Sequence, residues 1–413
     1  MLSMRYFVTY LFLIAIPLYA ETPTTAQAFV DSVGVNIHLS YTNSIYATNF
    51  PLILKALQDL HVKHVRDGIR DFGSGKSAYY MNHNALASAG IGCDYIAGMD
   101  VNKSIVAAYP SVVYDMQSLE AANELDNSDP NWVADLKAEL AWLSPLAQAL
   151  GLPLVGPSFV NPNSASQFGK TANFTKITNL HNYFAGFSPE TLGWGACNAQ
   201  KHCYASIPWN LDQAAMQGTS LVWTTETGYD VNTAHSNSVP ANVYATYLPR
   251  LLLAHWNAGI KRTFIYELAD DPSTAGAFGL LDSSGTRRPA FVALSALLNL
   301  LQDPGNLFFP TNTISLTISG QTNNVQHPLM QKRDGSIYLA LWIGTPVFDP
   351  NAKQAILVMP QALQISLPPG AHDPLLYSYD ANWNLVPTAI PIQAGGQISV
   401  IVGSNVSVLK LSQ

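Results

Sequence analysis

Two glutamates in this 413-residue sequence stand where side chains of that type could act together on one bond. Glu124 lies in Ala121-Ala122-Asn123-Glu124-Leu125-Asp126-Asn127, and Glu226 in Trp223-Thr224-Thr225-Glu226-Thr227-Gly228-Tyr229. Paired carboxylates flanking a glycosidic oxygen have two outcomes set by spacing. At about 5–5.5 Å, one attacks the anomeric carbon while the other protonates the departing oxygen; at about 6.5–9.5 Å, a water fits between and the configuration inverts. Two close carboxyls do not both ionise cheaply near neutral pH. One keeps its proton as the acid and the other stays charged as the nucleophile. Far apart in the chain, the two need a fold to bring them together.

That fold is legible as a repeating pattern. Short apolar runs over residues 32–39, 62–67, 92–98, 118–123, 152–158, 177–183, 220–225 and 262–268 alternate with helical stretches. Runs of this kind are strands buried on both faces, as in a parallel sheet. Pro51 opens a helix over 52–60, Asp129-Pro130 one over 131–150, and Pro240 one over 241–258 that Gly259 closes; a last helix covers 289–302. Eight such units predict an α/β fold, a closed (β/α)8 barrel. No Gly-rich phosphate turn follows the first strand, where Val35-Asn36-Ile37-His38 stands, so a dinucleotide fold is disfavoured. Barrel enzymes carry their chemistry at the C-terminal strand ends. Those ends supply Asn36 and His38, Arg66 and Asp67, Asp94 and Asp100, Asn123 and Glu124, Ser158, His181 and Tyr183, Glu226, and Tyr266 and Glu267. Glu124 ends the fourth strand and Glu226 the seventh, which face one another across the mouth.

Asn-Glu at the end of strand four with Glu at the end of strand seven resembles clan A of the glycoside hydrolases, over residues 32–300. The resemblance implies a retaining double displacement, with Glu124 as acid/base and Glu226 as nucleophile, needing neither cofactor nor catalytic metal. It makes Asn123 the partner of the substrate 2-hydroxyl and Arg66 the arginine that keeps the nucleophile ionised. His181 and Tyr183 fall where the clan contacts the nucleophile or the sugar. His38, Asn36 and Glu267 are further substrate-binding candidates, with pairing to Arg262 as an alternative for Glu267. Two positions depart from the common pattern: Leu125 follows Asn-Glu where many members have Pro, and Tyr266-Glu267 stands where many have Trp. Those differences bear on the family and the sugar, not on the carboxylate pair. The implied substrate is an oligo- or polysaccharide, β-linked in the clan's commonest case. An inactive carbohydrate-binding barrel is the alternative, and a metal-dependent hydrolase lacks a His-x-His at the first strand.

The rest of the chain fits a neutral polar ligand. Hydrophobic residues make up 48% and charged ones only 11%, against roughly 25% charged in an average soluble protein. A net charge of -7 without a basic run argues against nucleic acid. Trp194 and Trp209, in the long loop after strand six, are candidate sugar-stacking residues. The same loop holds Cys197 and Cys203, expected to pair as a disulfide; a zinc site there would put ligands on adjacent residues and lack a fourth. Asp126, Asn127 and Asp129 lack the Gly and terminal Glu of a calcium loop, so no metal is expected. Residues 1–20 read as a signal peptide with Arg5 before an apolar stretch, implying a secreted or periplasmic protein with no membrane span after cleavage. Residues 21–304 are the expected barrel. After the punctuated linker at 303–306, short alternating runs predict an all-β sandwich over 305–413.

Overall fold

A computed structural model of the chain describes residues 19–413 apart from 74–76, 220, 274 and 306. The signal-peptide reading falls mostly on residues 1–18, outside the described residues, as do Ser220 and Asn306.

Eight parallel strands close into a barrel. They are β1 (Val33–Asn36), β2 (His64–Gly68), β3 (Gly92–Ile96), β4 (Met116–Glu120), β5 (Leu154–Val155), β6 (Ile177–His181), β7 (Leu221–Thr227) and β8 (Arg262–Ile265). Each observed strand overlaps a run expected from the apolar pattern; β2 and β7 continue past the ends of theirs, to Gly68 and Thr227, and β4 starts two residues earlier and stops at Glu120. The fifth is cut to two residues, because Pro153 and Pro157 flank it and neither offers an N–H to a ladder. The main outer helices are α1 (Phe50–Asp59), α2 (Ala78–Ser88), α3 (Trp132–Leu150), α4 (Ile207–Gln217), α5 (Ala241–Asn257) and α6 (Pro289–Leu301). Asn131 rather than Asp129 precedes α3; the Asp129 carboxylate instead accepts from the Asn131 N–H at 2.8 Å, tightening the turn ahead of it.

The barrel interior divides by depth. Its floor is an apolar cluster of Val155, Ile177, Trp223 and Phe264. Gly34 is required there: a Cβ at that position would come within 2.4 Å of the Phe264 ring. Above the floor the inward positions turn polar, with Asn36, Arg66, Asp94, Ser118, Glu120, Asn179 and Thr225 all buried. A buried polar layer is tolerated only when its groups find partners. Those partners build the site described below.

A two-sheet β domain follows. Its main strands are β9 (Ile314–Gly320), β10 (Leu329–Gln331), β11 (Ile337–Ile343), β12 (Gln361–Ser366), β13 (His372–Tyr379), β14 (Leu385–Ala389), β15 (Gln397–Val402) and β16 (Ser407–Ser412). Inner faces pack Leu339, Leu363, Ile365, Ile398, Val400 and Leu409 into a separate core. Strand β14 is not evident from the sequence, because Pro387 argues against a central strand; it sits at the sheet edge, where proline is accommodated. Outside the two sheets, Gln354–Ala355 pairs antiparallel with Phe348–Asp349 in a short ribbon. The sandwich is also not purely C-terminal. Tyr19–Glu21 pairs antiparallel with Ile314–Leu316, and Thr24–Thr25 runs parallel beside Met330 and Gln331.

A buried joint ties the two domains. Arg250 of α5 donates from Nε to Glu190 Oε1 at 2.9 Å and from Nη2 to Glu190 Oε2, while Trp342 Nε1 of β11 reaches the same carboxylate at 2.6 Å. No helix among the described residues is long and apolar enough to cross a membrane.

Candidate active site

The end of β4 makes a sharp turn that presents Glu124. Its backbone lies in the left-handed region, φ 47°, where a residue with a Cβ is strained by about 1–3 kcal/mol. The Glu124 N–H donates to Ser158 Oγ at 3.1 Å, and its carbonyl accepts from the Asn127 N–H at 3.0 Å, which holds that conformation. Glu226 arrives by a different device. In the pairing of β7 with β6, Thr224 stands opposite Leu180 and Glu226 opposite His181, so Thr225 is an extra residue. This bulge breaks the two-residue alternation, and both Thr225 and Glu226 face the interior.

Carboxylate oxygens of Glu124 and Glu226 come within 4.8 Å of one another, with His181 alongside. His181 Nδ1 lies 2.6 Å from Glu124 Oε1 and 3.6 Å from Glu226 Oε2. Its Nε2 is 3.1 Å from Thr225 Oγ1. The Thr225 hydroxyl spends its single proton on Asn179 Oδ1 at 2.7 Å, so it accepts from His181 Nε2–H. With Nε2 protonated, the short Nδ1–Glu124 contact holds one proton between an imidazole nitrogen and a carboxylate. Glu124 is thereby placed beside a proton it can share.

Glu226 is held as an anion. Tyr183 donates to Oε2 at 2.9 Å and Arg66 Nη1 to Oε1 at 2.7 Å. Burial opposes the charge, but the nearby charges of His181 and Arg66 and the hydrogen bonds from Arg66 and Tyr183 outweigh it, leaving the carboxyl below its usual range. Burial and the Glu226 charge push the Tyr183 phenol well up, so it stays a donor.

Arg66 uses all five of its N–H groups. Beyond Glu226, Nε and Nη2 clamp Glu120 at 2.9 and 2.6 Å, Nη1 reaches Asn36 Oδ1 at 2.9 Å, and Nη2 reaches Asn123 Oδ1 at 2.6 Å. Glu120 is fully buried on β4 and neighbours Asp94, whose carboxyl is raised well above its usual range by burial and by the Glu120 charge. The arginine thus sets Glu226 and Asn123 in register from one rigid fork.

The sequence-derived residues separate by position. Glu124, Glu226, Asn123, Arg66 and His38 line a cleft of about 510 Å³, joined by Tyr41 and Tyr266. Asn36 and Glu267 stand behind it: Asn36 donates to the Thr225 and Ile265 carbonyls and supports Arg66, while Glu267 pairs with His38 at 3.1 Å rather than with Arg262. His181, Tyr183 and Trp209 line a second pocket that shares Glu124. Trp194 lines neither; it packs on Phe187 and sets its edge against Tyr204. Cys197 and Cys203 form a disulfide in the same loop, and Cys93 is free and buried in β3.

Glu120, Asn179, Thr225, Tyr41 and Tyr204 are additions from the structure. A charged residue inside an apolar strand was the available signal for Glu120; Tyr204 carried none. Two clusters among the described residues have metal-ligand spacing, Glu124–His181–Glu226 and His83–Cys93–Asp115. In each, the histidine Nδ1 already contacts a carboxylate, at 2.6 Å to Glu124 and 2.7 Å to Asp115.

No protein-family model and no curated protein matches the chain. Solved structures do resemble it in fold. A family 39 glycoside hydrolase from Bacteroides cellulosilyticus superimposes with a TM-score of 0.62 at 14% identity, covering 95% of this chain and 83% of that one. A glucosidase from Croceicoccus marinus gives 0.61 at 10% identity, covering 95% and 98%. The GH51 arabinofuranosidase from Xanthomonas axonopodis pv. citri gives 0.54 at 13%, covering 97% and 98%. The chain therefore has the fold of these enzymes, barrel and β domain together, and the clan A resemblance read from two glutamates extends to the architecture.

Proposed function

We propose that this protein is a retaining glycoside hydrolase acting on O-glycosidic bonds of an oligo- or polysaccharide. The observation that carries the reading is the approach of the Glu124 and Glu226 oxygens to within 4.8 Å across one cleft. An approach this close favours direct attack over the wider carboxyl spacing that gives an inverting enzyme room for its water. In the first step a Glu226 oxygen bonds to the anomeric carbon as the bond to the leaving oxygen breaks, and Glu124 gives that oxygen its proton. In the second, Glu124 takes a proton from water, whose oxygen displaces Glu226 from the same carbon. Arg66 and Tyr183 keep Glu226 ionised, and Asn123 is placed for the sugar's 2-hydroxyl. A β-linked substrate and export through the N-terminal segment complete the proposal.

The test is turnover of a glycan panel by purified protein, with Glu226→Ala beside it and the product anomer followed by NMR. Hydrolysis with retained configuration, lost in the variant, is the expected result. Turnover undiminished in Glu226→Ala removes the assignment, and an inverted first product removes the mechanism.

A further inference from the structure

Beside Glu124, and not in contact with Glu226, lies a side pocket of about 210 Å³. The truncated β5 and the disulfide-closed loop after β6 frame it. Phe159, Tyr204 and Trp209 supply aromatic surface, and Asn161, Asn210 and Gln213 supply amides. The tryptophan sits in the first turn of α4, where its backbone N–H donates to the capping Ser206 Oγ at 3.2 Å, and its ring meets Tyr204 edge-on with centroids 4.9 Å apart.

Two unmet polar atoms mark the wall. Asn179 Nδ2, a donor, and Gln217 Oε1, an acceptor, belong to pocket-lining residues that are each 1% exposed, and neither has a hydrogen-bond partner. Leaving such groups unpaired leaves their desolvation uncompensated, so a ligand that satisfies them is favoured. Hydroxyl groups do this well, since each donates and accepts. Apart from Glu124 and His181, no lining side chain ionises near neutral pH, and no lysine or arginine is present to pair with an acidic sugar. The volume equals that of about seven liquid waters, the scale of one sugar ring.

We infer that this pocket binds a single uncharged sugar residue on the leaving-group side of the bond, an inference that rests on the glycosidase reading for its orientation. The ring stacks on Trp209 and Tyr204, and its hydroxyls meet the amide wall. Contact with Glu124 alone fixes the side, because the group being protonated adjoins the acid while the group being attacked adjoins both carboxylates.

Calorimetric titration of full-length Glu226→Gln protein tests this without turnover. The probes are β-linked disaccharides of glucose, xylose and mannose, with digalacturonate as the charged control. At least one neutral disaccharide is expected to bind, with Trp209→Ala in the same background weakening it about tenfold or more and Trp209→Phe largely restoring it. Digalacturonate is expected to bind at least about tenfold more weakly than that disaccharide. Unchanged affinity in the alanine variant, equal binding of digalacturonate, or no binding of any disaccharide overturns the inference. The two readings fail separately. A panel that shows no hydrolysis, together with Trp209-dependent binding, sinks only the enzyme; hydrolysis with Trp209-independent binding sinks only the pocket.

Discussion

Arg66 Nη1 donates to Glu226 Oε1 at 2.7 Å from a guanidinium whose other four N–H groups are also engaged. A saturated, buried fork has no freedom to swing, so the proposed nucleophile is fixed by its partner as much as by its own strand. Lysine offers three donors on a flexible stem and cannot reproduce five fixed bonds. Arg66→Lys is expected to lower kcat/KM about tenfold or more, since hydrogen bonds to charged groups contribute about 1.5–3 kcal/mol each. It should also move the acidic limb of the pH–rate profile upward. The sign follows from Arg66 holding the Glu226 carboxyl low; weakening that support raises the pH below which it is protonated and inert. An unmoved acidic limb in steady-state kinetics would contradict this role.

Glu124 is expected to show a dependence on leaving group. An aryl glycoside with an acidic phenol departs without protonation, whereas a sugar hydroxyl does not. Glu124→Ala should therefore cost about 10²–10⁴-fold on a natural glycan in its first step and much less on 2,4-dinitrophenyl glycosides. Pre-steady-state bursts with the aryl substrate check this, because the slowed second step then accumulates the glycosyl-enzyme.

Glu139 of α3 gives a stability prediction separable from catalysis. Its Oε2 accepts from the Ala122 N–H at 3.1 Å, but burial pushes the carboxyl up to about 8, against the backbone hydrogen bond and with help from the Glu120 charge. Below about 4.5 both folded and unfolded chains hold the proton. Between about 4.5 and 8 the unfolded chain releases it while the folded one retains it, so stability falls as pH rises through that window. Glu139→Gln keeps an acceptor for Ala122 and removes the titration. Its thermal midpoint should exceed that of the parent more at pH 8 than at pH 4.5, as read by differential scanning calorimetry.

The joint between barrel and sandwich predicts a large loss. Glu190→Ala leaves the fully buried Arg250 guanidinium and the Trp342 N–H without their shared carboxylate. Removing one partner of a buried pair costs about 3–5 kcal/mol. Denaturant unfolding should show that destabilisation, and a change below about 1 kcal/mol would mean that water replaces the carboxylate.

The eight-unit rhythm, the placement of Glu124 and Glu226 on the fourth and seventh strand ends, and the set Arg66, Asn123, His181 and Tyr183 were all legible in the chain. Buried parallel strands are continuous apolar runs, and barrel chemistry gathers at their ends, so local pattern carries that information. Trp194 shows where it fails: composition marks an aromatic loop, but only packing decides that Trp209 and Tyr204 line the pocket while Trp194 stands behind them. The strand edge at Pro387 and the N-terminal residues in the sandwich escaped for a related reason, since pairing partners lie far away in sequence.

By itself, then, the sequence determined the kind of barrel and which carboxylates end its strands, because both follow from residue type at local spacing. The tertiary structure alone decided that those carboxylates meet. An inserted Thr225 turns Glu226 inward against the alternation of its strand, a left-handed Glu124 turns toward it, and Glu120 anchors the arginine between them. Bulges, strained turns and ion-pair networks arise from contacts across the barrel, and no window of neighbouring residues contains them.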